Sequence, residues 1–128
     1  MKIDYVNLTQ DYLSNRDAIL KIIDKSLLSG NWVGGDEIDK FEKNIAKYTG
    51  SKYAVALNSG TDALTIALYL SGIKRGDEVI TTPNSFIAST AVIVHLGAIP
   101  VFVDVLDDQN INPDLIESKI TIKTKAIM

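Results

Sequence analysis

The sequence contains no cysteine and a single histidine, His95. Without cysteine the chain can form no disulfide and can supply no thiolate for catalysis or metal binding. One imidazole without thiolate partners also argues against a transition-metal centre, so no metal site is expected. These absences remove cysteine-dependent enzymes and zinc-type centres from the candidate functions.

Positive charge and long apolar runs are also scarce. Thirteen Lys and Arg stand against sixteen Asp and Glu, for a net charge of -3, and the basic residues do not cluster. Nucleic-acid binding usually requires a basic patch, so no nucleic-acid partner is expected. The longest apolar stretch, around residues 91–96, is far too short to span a bilayer, and the N-terminus lacks the apolar segment of a signal peptide. We therefore expect a cytoplasmic protein without a membrane partner.

The composition is that of a globular domain, with 128 residues of which 46% are hydrophobic and 23% charged. Two helices are predicted first. Asn15 is predicted to cap a helix that ends at Gly30 and whose apolar face carries Ile19, Ile22, Ile23 and Leu27. A second helix, over about residues 36–48, is predicted to end at Gly50 and to bury Ile38, Phe41 and Ile45.

Strands and helices alternate in the rest of the chain. Residues 53–57 are continuously apolar, which is typical of a strand covered on both faces. The further elements are predicted as a helix over 61–71, a strand over 78–82, a helix over 86–96, a strand over 99–105, a short helix over 112–120 and a strand from 125. This alternation predicts an α/β fold, with a mostly parallel sheet and flanking helices.

The first candidate site is the turn Asn58-Ser59-Gly60-Thr61, between a predicted strand and a predicted helix. Ser59 and Asp62 have the spacing of a capping box, which would explain the turn structurally. Alternatively, Gly60 allows close approach of an anion such as phosphate to the free amides of Gly60 and Thr61, beside the Ser59 hydroxyl. From spacing alone the two interpretations are about equally supported. No GxGxxG or GxxxxGK[ST] pattern is present, so a dinucleotide or nucleoside-triphosphate site is not supported.

Two aromatic residues are further candidates. Phe86 follows the loop after the second strand, and it could be a core aromatic or a flat face that stacks on a ligand ring. Trp32 lies in the glycine-rich link SGNWVGG, where it could pack locally or meet a substrate. Because ligands of parallel α/β sheets bind beyond the carboxyl ends of the strands, we expect Phe86 and the Ser59–Thr61 turn to converge at one sheet edge.

A set of segments in this order resembles the N-terminal part of the DegT/DnrJ/EryC1/StrS family of sugar aminotransferases. The segments are SGNWVGG, FEKNIAKYTG, AVALNSGTDALTIAL, GDEVITTPNSFIAS, LGAIPVFVDV and TKAIM. The resemblance implies the large domain of a type I aminotransferase fold, pyridoxal phosphate (PLP) as cofactor, and a homodimer. It implies a nucleotide-linked keto-sugar as substrate and an amino acid as amino donor. Residues 1–50 would be a helical segment and residues 51–128 an incomplete PLP-binding portion of the same domain.

The resemblance also implies residue roles. Gly60 and Thr61 match the positions whose amides hold the PLP phosphate, with Ser59 beside them. Phe86 matches the aromatic that stacks on the pyridine ring, and Trp32 falls near the substrate entrance. In this family the first strand lies beside the last strand of the large domain, so residues 53–57 are expected to lack their neighbour. The strand at EVITT is expected to lie between those at PVFVDV and KAIM.

The family's catalytic lysine, which forms a Schiff base with PLP, lies downstream of the segment TKAIM. No lysine of this chain matches that position, so no catalytic residue is assigned and a fragment of a longer enzyme is expected. A sugar dehydratase of the same family, with histidine in place of the lysine, is one alternative. A non-catalytic regulatory or binding relative is another.

Overall fold

The computed structural model describes residues 5–128 and divides the chain into two compact units, Met1–Ala56 and Leu57–Met128. The helices are α1 (Leu8–Leu28), α2 (Asp36–Thr49), α3 (Gly60–Leu70) and α4 (Ala88–His95). The strands are β1 (Glu78–Thr81), β2 (Ile99–Phe102) and β3 (Thr124–Ile127), and two 3₁₀ turns occupy Pro113–Leu115 and Glu117–Lys119. No helix within residues 5–128 is both long enough and apolar enough to cross a membrane.

The start predicted for the first helix is wrong. Asn7 caps α1, because its side-chain oxygen accepts a hydrogen bond from the Gln10 amide at 3.0 Å. Asn15 lies inside the helix and donates from its side chain to the Asp11 carbonyl at 3.0 Å. An asparagine side chain can cap a helix start, as Asn7 does, or bond to a carbonyl four residues back inside a helix, as Asn15 does. The residue type alone therefore does not show which asparagine begins the helix.

Helix α2 has the predicted ends but not the predicted burial. It stops at Gly50, whose φ of +70° suits a glycine that ends a helix. The face predicted to be buried is exposed instead, with exposed fractions of 42%, 55% and 37% for Ile38, Phe41 and Ile45. The apolar face of α1 is exposed as well, and neither helix contains a buried residue. An amphipathic pattern shows which face of a helix is suited to burial, but it does not provide the element that would bury that face.

The sheet is parallel, with strand order β2-β1-β3, and this confirms the expected central position of the EVITT strand. Ile80 of β1 pairs with Val101 of β2 and with Ile127 of β3. The central strand is buried at Val79, Ile80 and Thr81, with exposed fractions of 0%, 0% and 1%. Leu68 of α3 and Val92 and Ile93 of α4 join the same core.

The strand predicted over residues 53–57 is not formed among the described residues. Tyr53 and Val55 are each 75% exposed, contrary to the predicted coverage of both faces. Two side chains bind this segment locally: the Glu42 carboxylate accepts from the Ala56 amide at 2.8 Å, and the Ser51 hydroxyl donates to the Tyr53 carbonyl at 3.0 Å. A strand requires a ladder to a neighbouring strand, and residues 5–128 offer this segment none.

Candidate functional site

The turn before α3 has the geometry of a capped helix N-terminus. Ser59 is the N-cap residue, with extended backbone angles, and its Oγ accepts from the Asp62 amide at 3.1 Å. The Ser59 hydroxyl donates to the Asp62 carboxylate at 3.0 Å, and the Ser59 carbonyl accepts from the Ala63 amide at 3.1 Å. The predicted pairing of Ser59 with Asp62 is therefore confirmed, with the two side chains bonded directly to each other.

The amides of Gly60 and Thr61 remain available in this turn. Neither donates a hydrogen bond to any of residues 5–128. They are the first two amides of α3, where the helix dipole places partial positive charge. The start of α3 therefore offers two unsatisfied donors to an anion.

Neither the backbone nor the packing around Gly60 explains why the residue is a glycine. Its φ lies outside the left-handed region, and a Cβ built at this position would meet no atom of residues 5–128 within 4 Å. Inside a helix, glycine is less favourable than alanine by about 0.5–1 kcal/mol. The missing Cβ therefore leaves open space beside the two free amides, as binding of a phosphate group would require.

Phe86 lies in the loop between β1 and α4, two residues before the helix starts. The prediction that the helix includes Phe86 is wrong, since α4 begins at Ala88 and the Phe86 carbonyl accepts from the Ser89 amide at 3.0 Å. Phe86 is 77% exposed, so its interpretation as a core aromatic is wrong within residues 5–128. An aromatic face this exposed is free to stack on a planar ligand. Its convergence with the Gly60 and Thr61 amides stays a prediction.

Trp32 belongs to the first unit, where it lies in the link between α1 and α2. Its indole Nε1 donates to the Leu27 carbonyl at 3.2 Å, while 75% of the residue remains exposed. It borders an open cleft of about 410 Å³ that Lys25, Glu37 and Lys40 also line. Glu37 contacts both lysines, and the hydrogen bond from Lys40, followed by that from Lys25, lowers the pKa of the Glu37 carboxyl.

The donor set at the start of α3 fits a phosphate-bearing planar cofactor better than a metal. Two free amides beside an uncovered glycine suit a phosphate, and an exposed Phe86 ring would suit a planar group if it converges with these amides as predicted. No group of His, Asp or Glu side chains within residues 5–128 is placed to hold a metal ion.

Comparison with known proteins identifies the family. The profile of the DegT/DnrJ/EryC1/StrS aminotransferase family matches residues 14–128. The chain belongs to this family. A relative from Aneurinibacillus thermoaerophilus, dTDP-3-amino-3,6-dideoxy-alpha-D-galactopyranose transaminase, is 40% identical over 127 residues, which are 98% of this chain and 35% of the relative. A "pleiotropic regulatory protein" of Geobacillus stearothermophilus is 37% identical over 100% of this chain and 35% of its own length.

A solved structure of the same kind supports the fold. The crystal structure of NtdA from Bacillus subtilis, with bound cofactor PMP, superposes with a TM-score of 0.85 at 35% identity and covers 99% of this chain. The predicted aminotransferase fold class and family membership are thereby confirmed. This chain spans about a third of the length of these DegT/DnrJ/EryC1/StrS relatives, with 35% of each curated protein and 30% of the NtdA chain covered.

Sequence reasoning missed two residues near the candidate site. The Asn84 side-chain amide donates to the Gln109 side-chain oxygen at 3.0 Å, across 25 residues of sequence. Asn84 stands two positions before Phe86 in the loop after β1. The sequence marks the loop as polar, but no local pattern links it to Gln109.

Proposed function

We propose that this chain is the amino-terminal part of a PLP-dependent enzyme that transfers an amino group to a nucleotide-linked keto-sugar. Membership of the DegT/DnrJ/EryC1/StrS aminotransferase family supports the reaction class. The A. thermoaerophilus relative, named as a transaminase of a dTDP-linked amino sugar, supports the substrate class. The coverage of about a third of each relative supports a longer enzyme.

The observation that carries the proposal is the pair of free amides at Gly60 and Thr61 beside a glycine that the fold does not require. A glycine kept at a helix start without a conformational need is accounted for by a ligand that must approach the backbone closely. A plain phosphate-binding domain would share this turn. The family, together with the bound PMP of NtdA, favours PLP as the phosphate compound.

Each candidate residue has a role in this proposal. The amides of Gly60 and Thr61 bind the cofactor phosphate, and the Ser59 hydroxyl lies beside them. The Phe86 ring stacks on the cofactor ring and shields that face from water. Trp32 contributes to substrate binding, through the indole surface that remains exposed. When bound, PLP supplies an electron sink for proton transfers at the amino-bearing carbon. No lysine of this chain is assigned a catalytic role.

We further propose that residues 1–50 and 51–128 are parts of one large domain of a cytoplasmic homodimer. The exposed apolar faces of α1 and α2 are consistent with burial in a larger assembly.

The G. stearothermophilus relative favours a second candidate, because its name describes a regulatory protein. In that case the chain would belong to a protein with a regulatory role that does not transfer amino groups. A sugar dehydratase of the same family remains the other alternative, and it differs in removing a hydroxyl group instead of adding an amino group.

The experiment that tests the function uses the full-length protein encoded by the gene. The protein is dialysed, its absorbance is recorded for bound PLP, and it is incubated with glutamate or glutamine and a panel of nucleotide-linked keto-sugars. We expect retained PLP, and an amino-sugar product that mass spectrometry identifies. The matched control is Gly60→Leu, which should lose PLP because its side chain fills the space beside the amides.

The outcomes separate the candidates. An amino-sugar formed only when the amino donor is present supports the aminotransferase. Loss of a sugar hydroxyl without incorporation of nitrogen would identify the dehydratase instead. A folded protein that converts no sugar would favour the regulatory candidate, and equal PLP retention by the Gly60→Leu variant would refute the phosphate assignment.

A further inference from the structure

Two loops leave the same edge of the sheet and are joined by a hydrogen bond. β1 and β2 are parallel neighbours, so the loop over residues 82–87 and the segment after Phe102 both start at their carboxyl ends. The Asn84 Nδ2 donates to the Gln109 Oε1 at 3.0 Å and lies 3.5 Å from the Gln109 carbonyl. This contact ties the loop that carries Phe86 to the turn that follows β2.

The turn that carries Gln109 is anchored on both sides. The Leu106 amide donates to the Asn110 carbonyl at 2.8 Å, and the Gln109 amide donates to the Leu106 carbonyl at 2.9 Å. Val105 and Ile111 form an antiparallel bridge just outside it. Backbone hydrogen bonds therefore fix the turn independently of the loop after β1.

Gln109 adopts an unfavourable backbone conformation. With φ at +70° it is the single non-glycine residue with positive φ within residues 5–128. Such a conformation is unfavourable for a residue with a Cβ, and glycine or asparagine would avoid most of the strain. A glutamine at this position is accounted for if its side chain makes a contact that the shorter residues cannot make.

The loop on the other side is held more weakly. Within residues 82–87 the Asn84 amide donates to the Thr82 hydroxyl at 3.3 Å, and the Ser85 hydroxyl bonds to that of Ser89 at 2.9 Å. The end of the loop is bonded to the start of α4, since the Phe86 carbonyl accepts from the Ser89 amide at 3.0 Å and the Ile87 carbonyl accepts from the Ala91 amide at 2.9 Å. Over residues 82–85 the loop is held only by side-chain bonds to residues 5–128, and Phe86, which is 77% exposed, follows that part directly.

We propose that Gln109 is a positioning residue for Phe86: through Asn84 it holds the loop over residues 82–87 in the conformation that presents the ring to the cofactor. The inference rests on the proposed function, since it takes Phe86 to stack on PLP. The Gln109 side chain accepts from Asn84 and donates to the Asp107 carbonyl of its own turn at 3.4 Å. Its effect on binding therefore passes entirely through the loop.

The test uses the full-length protein and three substitutions, which distinguish the effect of the side-chain hydrogen bond from the effect of backbone strain at residue 109. Gln109→Gly removes the acceptor while fitting φ of +70° without strain, Asn84→Ala removes the donor, and Gln109→Glu keeps an acceptor oxygen at the same reach. Hydrogen exchange of the residue-84 amide, which donates to the Thr82 hydroxyl at 3.3 Å, is measured without cofactor. We expect faster exchange in the first two variants, no further increase when they are combined, and near-normal exchange in Gln109→Glu.

A second measurement tests whether the hydrogen bond between Asn84 and Gln109 affects cofactor binding. The dissociation constant of PLP, obtained by titration, should rise roughly two- to tenfold in Gln109→Gly, the range expected for one hydrogen bond. Added to Phe86→Ala, the same change should have no further effect, because the ring that it positions is gone. A destabilised fold would instead lower affinity in both backgrounds.

The results can overturn the inference in distinct ways. Unchanged exchange in Gln109→Gly shows that the hydrogen bond does not restrain the loop. An undiminished effect of Gln109→Gly in the Phe86→Ala background shows that Gln109 does not act through the ring. If the unmodified protein binds no PLP, the proposed function fails and the positioning role fails with it. Faster exchange would then leave the hydrogen bond as a purely structural contact.

Discussion

Replacement of Gly60 by alanine should raise the stability of the protein and lower its affinity for PLP. The backbone at Gly60 is not left-handed, and the added Cβ would meet no atom within 4 Å. Alanine therefore affects stability only because it restricts the unfolded chain and favours the helix. At a helix end this raises the free energy of unfolding by about 0.5–1 kcal/mol or less. In the same variant the methyl group occupies the space through which a phosphate would reach the Gly60 and Thr61 amides.

The matched control is Gly72→Ala, just beyond the other end of α3. A Cβ at Gly72 would also meet no atom within 4 Å, but the φ of +82° is strained for alanine. This variant should lose about 1 kcal/mol of stability, the cost of a left-handed residue with a Cβ, and should keep its PLP affinity. The two substitutions are chemically identical, but they are expected to change stability in opposite directions, and only Gly60→Ala is expected to weaken PLP binding.

Urea unfolding of the cofactor-free, full-length protein and PLP titration measure the two quantities. We expect Gly60→Ala to unfold at slightly higher urea concentration and to bind PLP at least severalfold more weakly. A stabilised variant with unchanged affinity would show that the open space at Gly60 does not serve a phosphate. A destabilised variant would show that packing absent from residues 5–128 surrounds Gly60 in the full-length protein.

Two further predictions concern the cap of α3 and the link region. Ser59→Ala should destabilise the protein by about 1 kcal/mol in urea unfolding, since the Asp62 amide loses its acceptor, and Ser59→Asn should recover most of the loss; equal stability of the alanine variant would contradict the cap. The pKa of Glu37 should lie below its ordinary value of 4.5, chiefly because Lys40 and then Lys25 donate hydrogen bonds to it. The stability from this depressed pKa is present above 4.5 and is lost as the pH falls through the lower folded value. In an NMR titration Lys40→Met should raise the pKa of Glu37, whereas Lys43→Met, on the same helix, should leave it unchanged; an equal response to both would show that contact is not the cause.

Elements specified by local patterns could be predicted from the sequence. Helix α2 starts at Asp36 and is followed by Gly50, and α3 follows the Ser59 cap, because caps and glycines act within a few residues. The parallel pairing and the central position of β1 followed from the alternation of elements and from the family resemblance. These features depend on near neighbours or on the order of elements.

Features that depend on distant partners could not be predicted in the same way. The apolar pattern of residues 53–57 marks a segment suited to a buried strand, yet strand formation needs a neighbour that the pattern does not provide; only the family resemblance predicts that this neighbour is missing. Phe41, on the apolar face of α2, is 55% exposed for the same reason. The bond from Asn84 to Gln109 joins positions 25 residues apart, and neither position has a neighbour pattern that implies the other.

Helix capping and phosphate binding can occur together in the turn before α3, because they use different backbone amides. They conflict only over the Ser59 hydroxyl proton, which can be donated to one acceptor at a time. The first three residues of α3 have no carbonyl four positions back inside the helix, and the first helical bond is that from the Ala63 amide to the Ser59 carbonyl. Of those three, Asp62 donates its amide to the Ser59 hydroxyl, so among residues 5–128 the amides of Gly60 and Thr61 have no acceptor and are available to an anion. The Ser59 hydroxyl proton, however, is already donated to the Asp62 carboxylate at 3.0 Å. Ser59 can therefore cap the helix and flank a phosphate at once, but it can donate to that phosphate only by releasing Asp62, a carboxylate that would then face the phosphate with one hydrogen bond fewer.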